Sequence, residues 1–301
     1  MDPAWASAFL AEHDLPPAYG RTLDEVAGAL AARFAAETEA RRTPLLVGLC
    51  GPQASGKSTL AAALAGLLQA QGLTVAVLSI DDLYLSHAAR ERLGAEVHPL
   101  LATRGPPGTH DVALGLRLMD DLAEGRPTAL PRFDKARDDL APTHAWPTTP
   151  ARVDVVLFEG WCVGARPQRA EALAAPVNDL EAQRDADGLW RRYINDRLAG
   201  PYQALFRRID LLILLQAPGF DVVAAWRQEQ ERKLRARLAA EGADLGRSMN
   251  DDEVLAFIQL YERLTTHILA TMPTYADAVI PMTAERTMKP PRWGPRPRPN
   301  F

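Results

Sequence analysis

The sequence lacks the features that define several large classes of protein. Cysteine is scarce: only Cys50 and Cys162 occur among 301 residues, too few for a disulfide framework or a thiolate metal site. No run of about 18 apolar residues is present, and the first residues carry acids where a signal peptide would be basic. These absences argue against a secreted or membrane-spanning protein and predict a cytoplasmic one.

Positive charge is not in excess either. The formal net charge is −4, so the sequence does not indicate the basic face that a nucleic-acid-binding protein needs. The G-x-G-x-x-G pattern of dinucleotide-binding folds is also absent. Small acidic ligands remain possible, because a few local arginines can hold them.

Short apolar runs alternate with helical patterns along the chain. The strand-like runs comprise residues 45–50, 74–80, 153–159, 209–216 and 277–281. After the first run, Leu60, Leu64 and Leu67 recur at helical spacing, and Gly72 closes the pattern. Near-continuous apolar strands that alternate with helices predict an α/β fold, with a parallel sheet covered on both faces.

Helices are also predicted at both ends of this alternating region. Residues 22–41 form a predicted N-terminal helix, in which Thr22 and Glu25 match a capping box. The same pattern, with Asn250 and Glu253, opens a helix nearer the C-terminus.

The segment GPQASGKS, residues 51–58, matches the phosphate-binding pattern G-x-x-x-x-G-K-S, the P-loop. In such loops the glycines let backbone N–H groups turn toward an anion, the lysine reaches the terminal phosphates, and the serine hydroxyl ligates Mg²⁺. A chance match would leave only a tight turn, but a strand pattern precedes this segment and an amphipathic helix follows it. We predict nucleotide binding by Gly51, Ala54, Ser55, Gly56, Lys57, Ser58 and Thr59.

P-loops occur in GTPase switches, in motor-like ATPases and in small-molecule kinases. The N-K-x-D tetrapeptide with which GTPases read guanine is absent from this sequence. GTPases are therefore excluded, and the other two classes remain open.

Acidic residues follow two other predicted strands. Asp81 and Asp82 come where the second run ends, and Glu159 comes at the end of the third. The carboxyl ends of parallel strands form the ligand-binding edge of such a sheet, so an aspartate there can accept a proton and a glutamate can support Mg²⁺. The alternatives are a turn or N-cap for the aspartates and a structural hydrogen bond for Glu159.

The order of several phrases along the chain resembles one family. After the P-loop come DDLYL, RGPPGTHD, LPRFDKARDD and LFEGW, followed by VVAAWRQEQE and MNDDEV. In this order they are similar to the D-glycerate 3-kinase family, which is related to phosphoribulokinase, uridine kinase and the P-loop pantothenate kinases. The resemblance covers most of residues 44–282.

The resemblance implies a nucleoside-kinase-like P-loop fold, a three-layer sandwich with a mostly parallel central sheet. It also implies transfer of the γ-phosphoryl group of ATP to D-glycerate, with Mg²⁺ as the second cofactor and 3-phosphoglycerate as the product. By alignment of DDLY with the family pattern, Asp81 is the expected base, acting with Lys57, and Glu159 is expected to support Mg²⁺ beside Ser58. Leu83 stands where relatives usually have phenylalanine.

Glycerate is a small anion, so its pocket needs cationic and hydrogen-bonding groups. Arginine meets a carboxylate with two parallel hydrogen bonds, which favours Arg104 and Arg132. Alternatively, Arg104 pairs with a surface acid and His110 is a satisfied structural histidine. The expected acceptor-binding residues are Asp82, Tyr84, Arg104, His110, Arg132 and Lys135.

The charged helix predicted for 220–241 also contains a catalytic candidate. Much of its charge can be a solvated face, since Glu229 and Lys233 are spaced to pair within the helix. Arg227 follows Trp226 in a phrase shared with the family and starts the segment expected to close over ATP. We predict that Arg227 neutralises charge on the transferring phosphoryl group and helps to exclude water.

These patterns divide the chain into an N-terminal helical segment (1–43), a P-loop kinase domain (44–288) and a proline-rich tail (289–301). The kinase domain is expected to contain an acceptor-binding insertion at about 83–152 and a lid at about 220–247. Two other functions stay open: a kinase of the same fold acting on uridine, pantothenate or another small metabolite, and a regulatory nucleotide-binding ATPase. The expected partner is a small hydroxy acid, with no nucleic acid or membrane, and the oligomeric state is unspecified.

Overall fold

Apolar runs of the sequence become the strands of a central sheet. The computed structural model describes residues 2–242 and 248–294. Its strands are β1 (Leu45–Cys50), β2 (Val75–Ser79), β3 (Phe133–Asp134), β4 (Asp139–Leu140), β5 (Val155–Gly160), β6 (Leu211–Gln216), β7 (Ala278–Pro281) and β8 (Arg292–Trp293). Each run predicted as a strand is one, and the short pair β3 and β4 forms a separate hairpin that the sequence did not reveal.

Within the described residues the sheet has six strands in the order β2-β5-β1-β6-β7-β8. The first five are parallel, and β8 runs antiparallel to β7. All residues of β1 and β5 are buried, which explains why these strands read as continuous apolar runs. The carboxyl ends of β2, β5 and β1 lie side by side, because Ser79 pairs with Glu159 and Cys50 pairs with Gly160.

Helices cover both faces of this sheet, so the predicted three-layer α/β architecture is confirmed. One face packs against the N-terminal helices and the P-loop helix, through residues such as Phe34 and Leu64. The other face packs against helices of the insertion and the C-terminal half, through residues such as Leu118 and Ile258. The α-helices are α1 (Pro3–Glu12), α2 (Gly20–Thr22), α3 (Ala29–Thr38), α4 (Lys57–Ala70), α5 (His87–Glu96), α6 (Val112–Ala123), α7 (Asp179–Arg184), α8 (Leu189–Arg197), α9 (Gln203–Phe206), α10 (Phe220–Ala240) and α11 (Asp251–Thr271). No helix of the described residues is both long and apolar enough to cross a membrane.

The N-terminal helix starts earlier than its capping-box pattern predicted. Thr22 has helical backbone angles (φ −62°, ψ −38°) and its side chain caps nothing. It lies inside a continuous run in which α2 is followed by the π-helical segment Leu23–Gly28 and then by α3. The prediction was wrong because a Thr and a Glu three residues apart also occur inside helices. The capping box at Asn250 and Glu253 is confirmed.

The beginning of the proline-rich tail belongs to the sheet. The predicted proline-rich tail starts at residue 289, yet Arg292 and Trp293 pair with β7. The guanidinium of Arg33 lies over the Trp293 ring, 5.4 Å from its centroid, and fixes this strand against α3. Residues 295–301 of the predicted tail and 243–247 of the predicted lid lie outside the described residues.

Candidate active site

The turn between β1 and α4 has the shape of a phosphate-binding loop. Ala54 and Gly56 have left-handed backbone angles, φ +58° and +85°, and Gly56 directly precedes Lys57, the first residue of α4. No side chain of the described residues caps this helix, so its first backbone N–H groups can bind an anion. The predicted nucleotide-binding residues, 51 and 54–59, all lie in this turn and at the start of α4.

Glu159 lies against the P-loop because β5, which contains it, pairs with β1. Its Oε1 accepts a hydrogen bond from the Ser58 hydroxyl (2.9 Å), and its Oε2 lies 4.0 Å from Lys57 Nζ. Glu159 is 5% exposed, and its Oε2 has no hydrogen-bond partner among residues 2–242 and 248–294. A buried carboxylate oxygen without a partner costs free energy, so this position suits a bound cation.

The donor set at this position resembles that of a magnesium site more than a zinc site. The described residues contain no group of three or more His, Cys, Asp or Glu side chains that could hold a metal ion. Mg²⁺ requires fewer protein ligands, because it keeps several waters and binds substrate phosphates through one or two protein oxygens. Ser58 and Glu159 provide such oxygens.

Asp81 lies two strands away from the P-loop on the same edge of the sheet. It belongs to the 3₁₀ turn Ile80–Leu83, which follows β2. Its carboxylate accepts hydrogen bonds from Lys135 Nζ (2.8 Å) and from the Tyr84 hydroxyl (3.0 Å). Burial would raise the pKa of Asp81, but the charges of Lys135 and Lys57 outweigh burial and lower this pKa to about 2. Asp81 is therefore ionised at neutral pH and within electrostatic reach of the P-loop lysine.

Asp82 and Arg132, both predicted to bind the acceptor, are engaged with each other. Asp82 accepts hydrogen bonds from the Phe133 backbone N–H (3.0 Å) and from Arg132 Nη1 (3.3 Å). Burial raises the pKa of Asp82 in spite of these two bonds. Asp82 thus anchors the β3–β4 hairpin beside Asp81, which is how Lys135 of that hairpin reaches the Asp81 carboxylate.

Arg104 is also paired with an acid. Asp138, in the hairpin turn with φ +53°, forms ion pairs with Arg104 and with the buried Arg90 (2.9 Å), and it lies 3.0 Å from His87 Nδ1. The Arg104 side chain stays 30% exposed. Arg104 therefore pairs with an acid, as the alternative to substrate binding predicted. Its guanidinium still has N–H groups that can donate to a further oxygen.

His110 stacks on Tyr84. The two ring centroids are 4.4 Å apart with an interplanar angle of 20°, and the backbones of the two residues form an isolated antiparallel bridge. Burial lowers the pKa of His110 to about 4, although the charge of Asp81 opposes this shift. A neutral imidazole therefore lies beside the residues predicted to bind the acceptor.

Two aromatic residues hold the loop 104–111 in place. Trp161, which follows β5, donates its Nε1–H to the Gly105 carbonyl (3.1 Å), and the Tyr261 hydroxyl on α11 donates to the Arg104 carbonyl (3.3 Å). Their rings meet edge to face, with centroids 4.9 Å apart. The loop is therefore fixed from both the sheet and the C-terminal helix.

Arg227 lies on α10 and is held by an acid of the same helix. Its Nη1 is 2.7 Å from Glu231 Oε2. Glu231 is 3% exposed and also accepts the Met249 backbone N–H (2.8 Å). Burial raises the pKa of Tyr261, and the charges of Asp81 and Arg227 both act on this group as well. Arg227 is therefore within electrostatic reach of Tyr261, whose hydroxyl contacts the loop 104–111.

Several residues that contact the site or its loops carry no signal that was detected in the sequence. Asp138 was hidden among the acids of LPRFDKARDD, and Arg90 looks like an ordinary helix-surface arginine. Tyr202 and Tyr261 resemble core aromatics of helices. Their partners lie on other elements, so only the folded chain reveals their roles.

The chain is similar to known kinases over most of its length. It is 33% identical over 239 residues to a Schizosaccharomyces pombe protein named uncharacterized kinase mug58, a match that covers 76% of this chain and 82% of that one. It is 30% identical over 228 residues to the chloroplastic D-glycerate 3-kinase of Arabidopsis thaliana, covering 72% of this chain and 46% of the plant protein. The structure of D-glycerate 3-kinase from Cryptococcus neoformans var. grubii has the same fold, with a TM-score of 0.74 at 24% identity and coverage of 91% and 99%. No family model matches the sequence.

A phosphate-binding loop beside two strand-end acids, on a mostly parallel sheet covered by helices, defines a P-loop kinase. The kinase relatives agree with this class. The chain belongs to the D-glycerate 3-kinase family, which confirms the resemblance seen in its motifs.

Proposed function

We propose that this chain is an ATP- and Mg²⁺-dependent kinase that transfers the γ-phosphoryl group of ATP to a hydroxyl of D-glycerate, giving 3-phosphoglycerate. The observation that carries the proposal is Asp81, an ionised carboxylate at the P-loop edge that is bonded to Lys135 and influenced by Lys57. The name of the Arabidopsis relative, D-glycerate 3-kinase, supports the choice of acceptor.

The residues around the P-loop fit a nucleoside triphosphate and its metal ion. When bound, ATP supplies the phosphoryl group, and Mg²⁺ neutralises part of the phosphate charge. Ser58 and Glu159 would hold the metal, since the buried Oε2 of Glu159 lacks a partner. Lys57 and the uncapped start of α4 would bind the phosphate oxygens.

Asp81 would orient the attacking hydroxyl and accept its proton. An ionised carboxylate has about four lone-pair positions, so a substrate hydroxyl can bind alongside the Lys135 and Tyr84 donors. With a pKa near 2, Asp81 is a weak base. It therefore takes the proton late, when bond formation to phosphorus has made the hydroxyl acidic.

The cations around Asp81 favour an acceptor that is itself a small anion. Arg104 belongs to the loop 104–111, Arg132 directly precedes the hairpin, and Lys135 lies in the hairpin turn. Each of these side chains is partly exposed. Each already holds an acid, yet a guanidinium has five N–H donors and an ammonium has three. The donors that remain can receive a substrate carboxylate. Arg227 would approach the phosphoryl group from α10.

Release of ADP in a coupled assay tests the proposal. The purified chain with Mg²⁺ and ATP should turn over D-glycerate much faster than uridine, pantothenate or ribulose 5-phosphate. Robust turnover of one of the other three, with glycerate inert, would assign a different acceptor to the same kinase. Slow ATP hydrolysis that no acceptor accelerates would instead indicate a regulatory ATPase.

A further inference from the structure

The Tyr202 hydroxyl makes two hydrogen bonds to the loop 104–111, although Tyr202 lies outside every motif of the sequence. Tyr202 ends the π-helical segment Leu198–Tyr202 and is fully buried. Its oxygen accepts the Gly108 backbone N–H (2.8 Å) and lies 2.6 Å from His110 Nδ1. One hydroxyl therefore contacts both the backbone and the histidine of this loop.

The tautomer of His110 follows from how the Tyr202 hydroxyl proton and the imidazole proton can both be paired. A tyrosine hydroxyl has a single proton to donate. If that proton goes to Nδ1, the imidazole carries its own proton on Nε2, and the hydroxyl is fully paired by Gly108 and His110. If Nδ1 carried the proton, the buried hydroxyl hydrogen and the Nε2 lone pair would both be left without partners. The first arrangement leaves fewer unpaired groups and is favoured.

Within the part of the chain that the structure describes, the Nε2–H of this tautomer has no hydrogen-bond partner. His110 is 5% exposed, and Nε2 is buried and unpaired. The ring stacks on Tyr84, whose hydroxyl donates to Asp81, and the charge of Asp81 acts on the imidazole. An unpaired donor is therefore retained in a ring that stacks on Tyr84 and lies within electrostatic reach of Asp81, although leaving it unpaired costs free energy.

We propose that Tyr202 is a positioning residue that holds His110 as the Nε2–H tautomer, so that a neutral N–H donor is ready for an oxygen of the acceptor bound at Asp81. This inference rests on the proposed kinase function and names a residue of the acceptor site. A neutral donor suits the position, because an imidazolium would pair with Asp81 and compete with the substrate hydroxyl for the carboxylate.

Nitrogen NMR of the full chain, labelled with ¹⁵N-histidine, tests the tautomer without any substrate. In the wild type, Nε2 of His110 should show the shift of a protonated ring nitrogen and Nδ1 that of an unprotonated one. Tyr202→Phe removes the proton donor, so the signal should move toward the Nδ1–H form or a mixture. A wild-type ring that is protonated on Nδ1, or on both nitrogens, would overturn the proposal.

Kinetics test whether the tautomer matters for the acceptor. Tyr202→Phe should lower kcat/KM for glycerate by about tenfold, which corresponds to the loss of one hydrogen bond. The KM for ATP should stay within about twofold. Tyr193→Phe is the matched control, because Tyr193 also packs against Gly108 but lacks a hydrogen bond to His110 among the described residues. It should leave both constants unchanged.

His110→Gln keeps the test decisive if Tyr202→Phe perturbs folding. A glutamine amide provides an N–H near the Nε2 position and needs no tautomer control. In the His110→Gln background, Tyr202→Phe should therefore cause no further loss of kcat/KM. An additional tenfold loss there would show a merely structural role and overturn the proposal. If the wild type phosphorylates no hydroxy acid, the proposed function fails, while the NMR experiment still decides the tautomer.

Discussion

Lys135 Nζ donates a hydrogen bond of 2.8 Å to Asp81 Oδ2 and joins the hairpin of the insertion to the edge of the sheet. Burial alone would raise the pKa of Asp81, but nearby charges lower it overall, and Lys135 has the largest effect among them. Its side chain is 62% exposed, so it can also meet a substrate that arrives from solvent. Lys135 is therefore placed to influence both the ionisation of Asp81, the proposed base, and the binding of an anionic acceptor.

Lys135→Met should raise the pKa of Asp81 toward its ordinary value. Because the proposed base role requires an ionised Asp81, the acidic limb of the kcat/KM profile for glycerate should move to higher pH. The KM for glycerate at pH 7 should rise by about tenfold, since the substrate carboxylate loses a charged partner. The matched control is Arg137→Met, on the same hairpin turn. If the acidic limb of the kcat/KM profile lay at the same pH for the wild type and Lys135→Met, Lys135 would not control the ionisation of Asp81.

Asp81→Asn should separate nucleotide binding from phosphoryl transfer. The amide preserves the shape of the side chain but cannot accept the proton of the hydroxyl. We expect turnover to fall by about 10²- to 10⁴-fold, the usual contribution of a general base. The dissociation constant for ATP, measured by calorimetry, should stay within a few-fold of the wild-type value. Undiminished turnover would remove the base role from Asp81.

Glu159→Gln should raise the magnesium requirement. The substitution keeps the Ser58 contact possible but removes the charge at the unpaired Oε2. The Mg²⁺ concentration for half-maximal activity should increase by about 10- to 100-fold, as for other residues that support a metal site. The exposed Glu171→Gln serves as the control. A Mg²⁺ titration curve identical to that of the wild type would show that Glu159 has only a structural hydrogen bond.

The sequence predicted those parts of the site whose signals are local. The P-loop is one contiguous segment, and Asp81 and Glu159 directly follow or end strands, so parallel pairing alone brings them to one edge. The family resemblance added Lys135, which the structure joins to Asp81. The cytoplasmic location, expected because Cys50 and Cys162 are too few for a disulfide framework, stays a prediction.

The remaining contacts depend on tertiary structure that no local pattern encodes. The bond between Tyr202 and His110 spans 92 residues, and a tyrosine in a helix reads as core packing until its hydroxyl partner is known. Arg104 was predicted from its charge and planarity, but whether it is free depends on Asp138, whose position is set by the hairpin turn. The false cap at Thr22 arose because a local spacing does not specify where a helix begins.

His110 should make the stability of the protein sensitive to mild acid. Burial lowers its pKa from 6.5 to about 4, so the unfolded chain binds a proton there before the folded chain does. This contribution to the free energy of unfolding is complete above about pH 6.5 and declines as the pH falls toward 4, with a loss of about 2 kcal/mol at pH 5.

Urea unfolding at pH 7 and pH 5 measures this loss. His110→Gln should lose about 2 kcal/mol less than the wild type between these two pH values. Other titrating groups, including His267, whose pKa burial also lowers, are present in both proteins and cancel in the comparison. The same loss in both proteins would show that His110 is not held neutral in the folded state.

We propose that this edge of the sheet directs a phosphoryl group from ATP onto the primary hydroxyl of glycerate. Proton-coupled ³¹P NMR of a completed reaction with D-glycerate, Mg²⁺ and ATP tests it most directly. Phosphate on the terminal carbon is coupled to two protons and should appear as a new triplet, absent with Asp81→Asn. A doublet would show transfer to the secondary hydroxyl, and the absence of any new ester beside free phosphate would contradict the kinase itself.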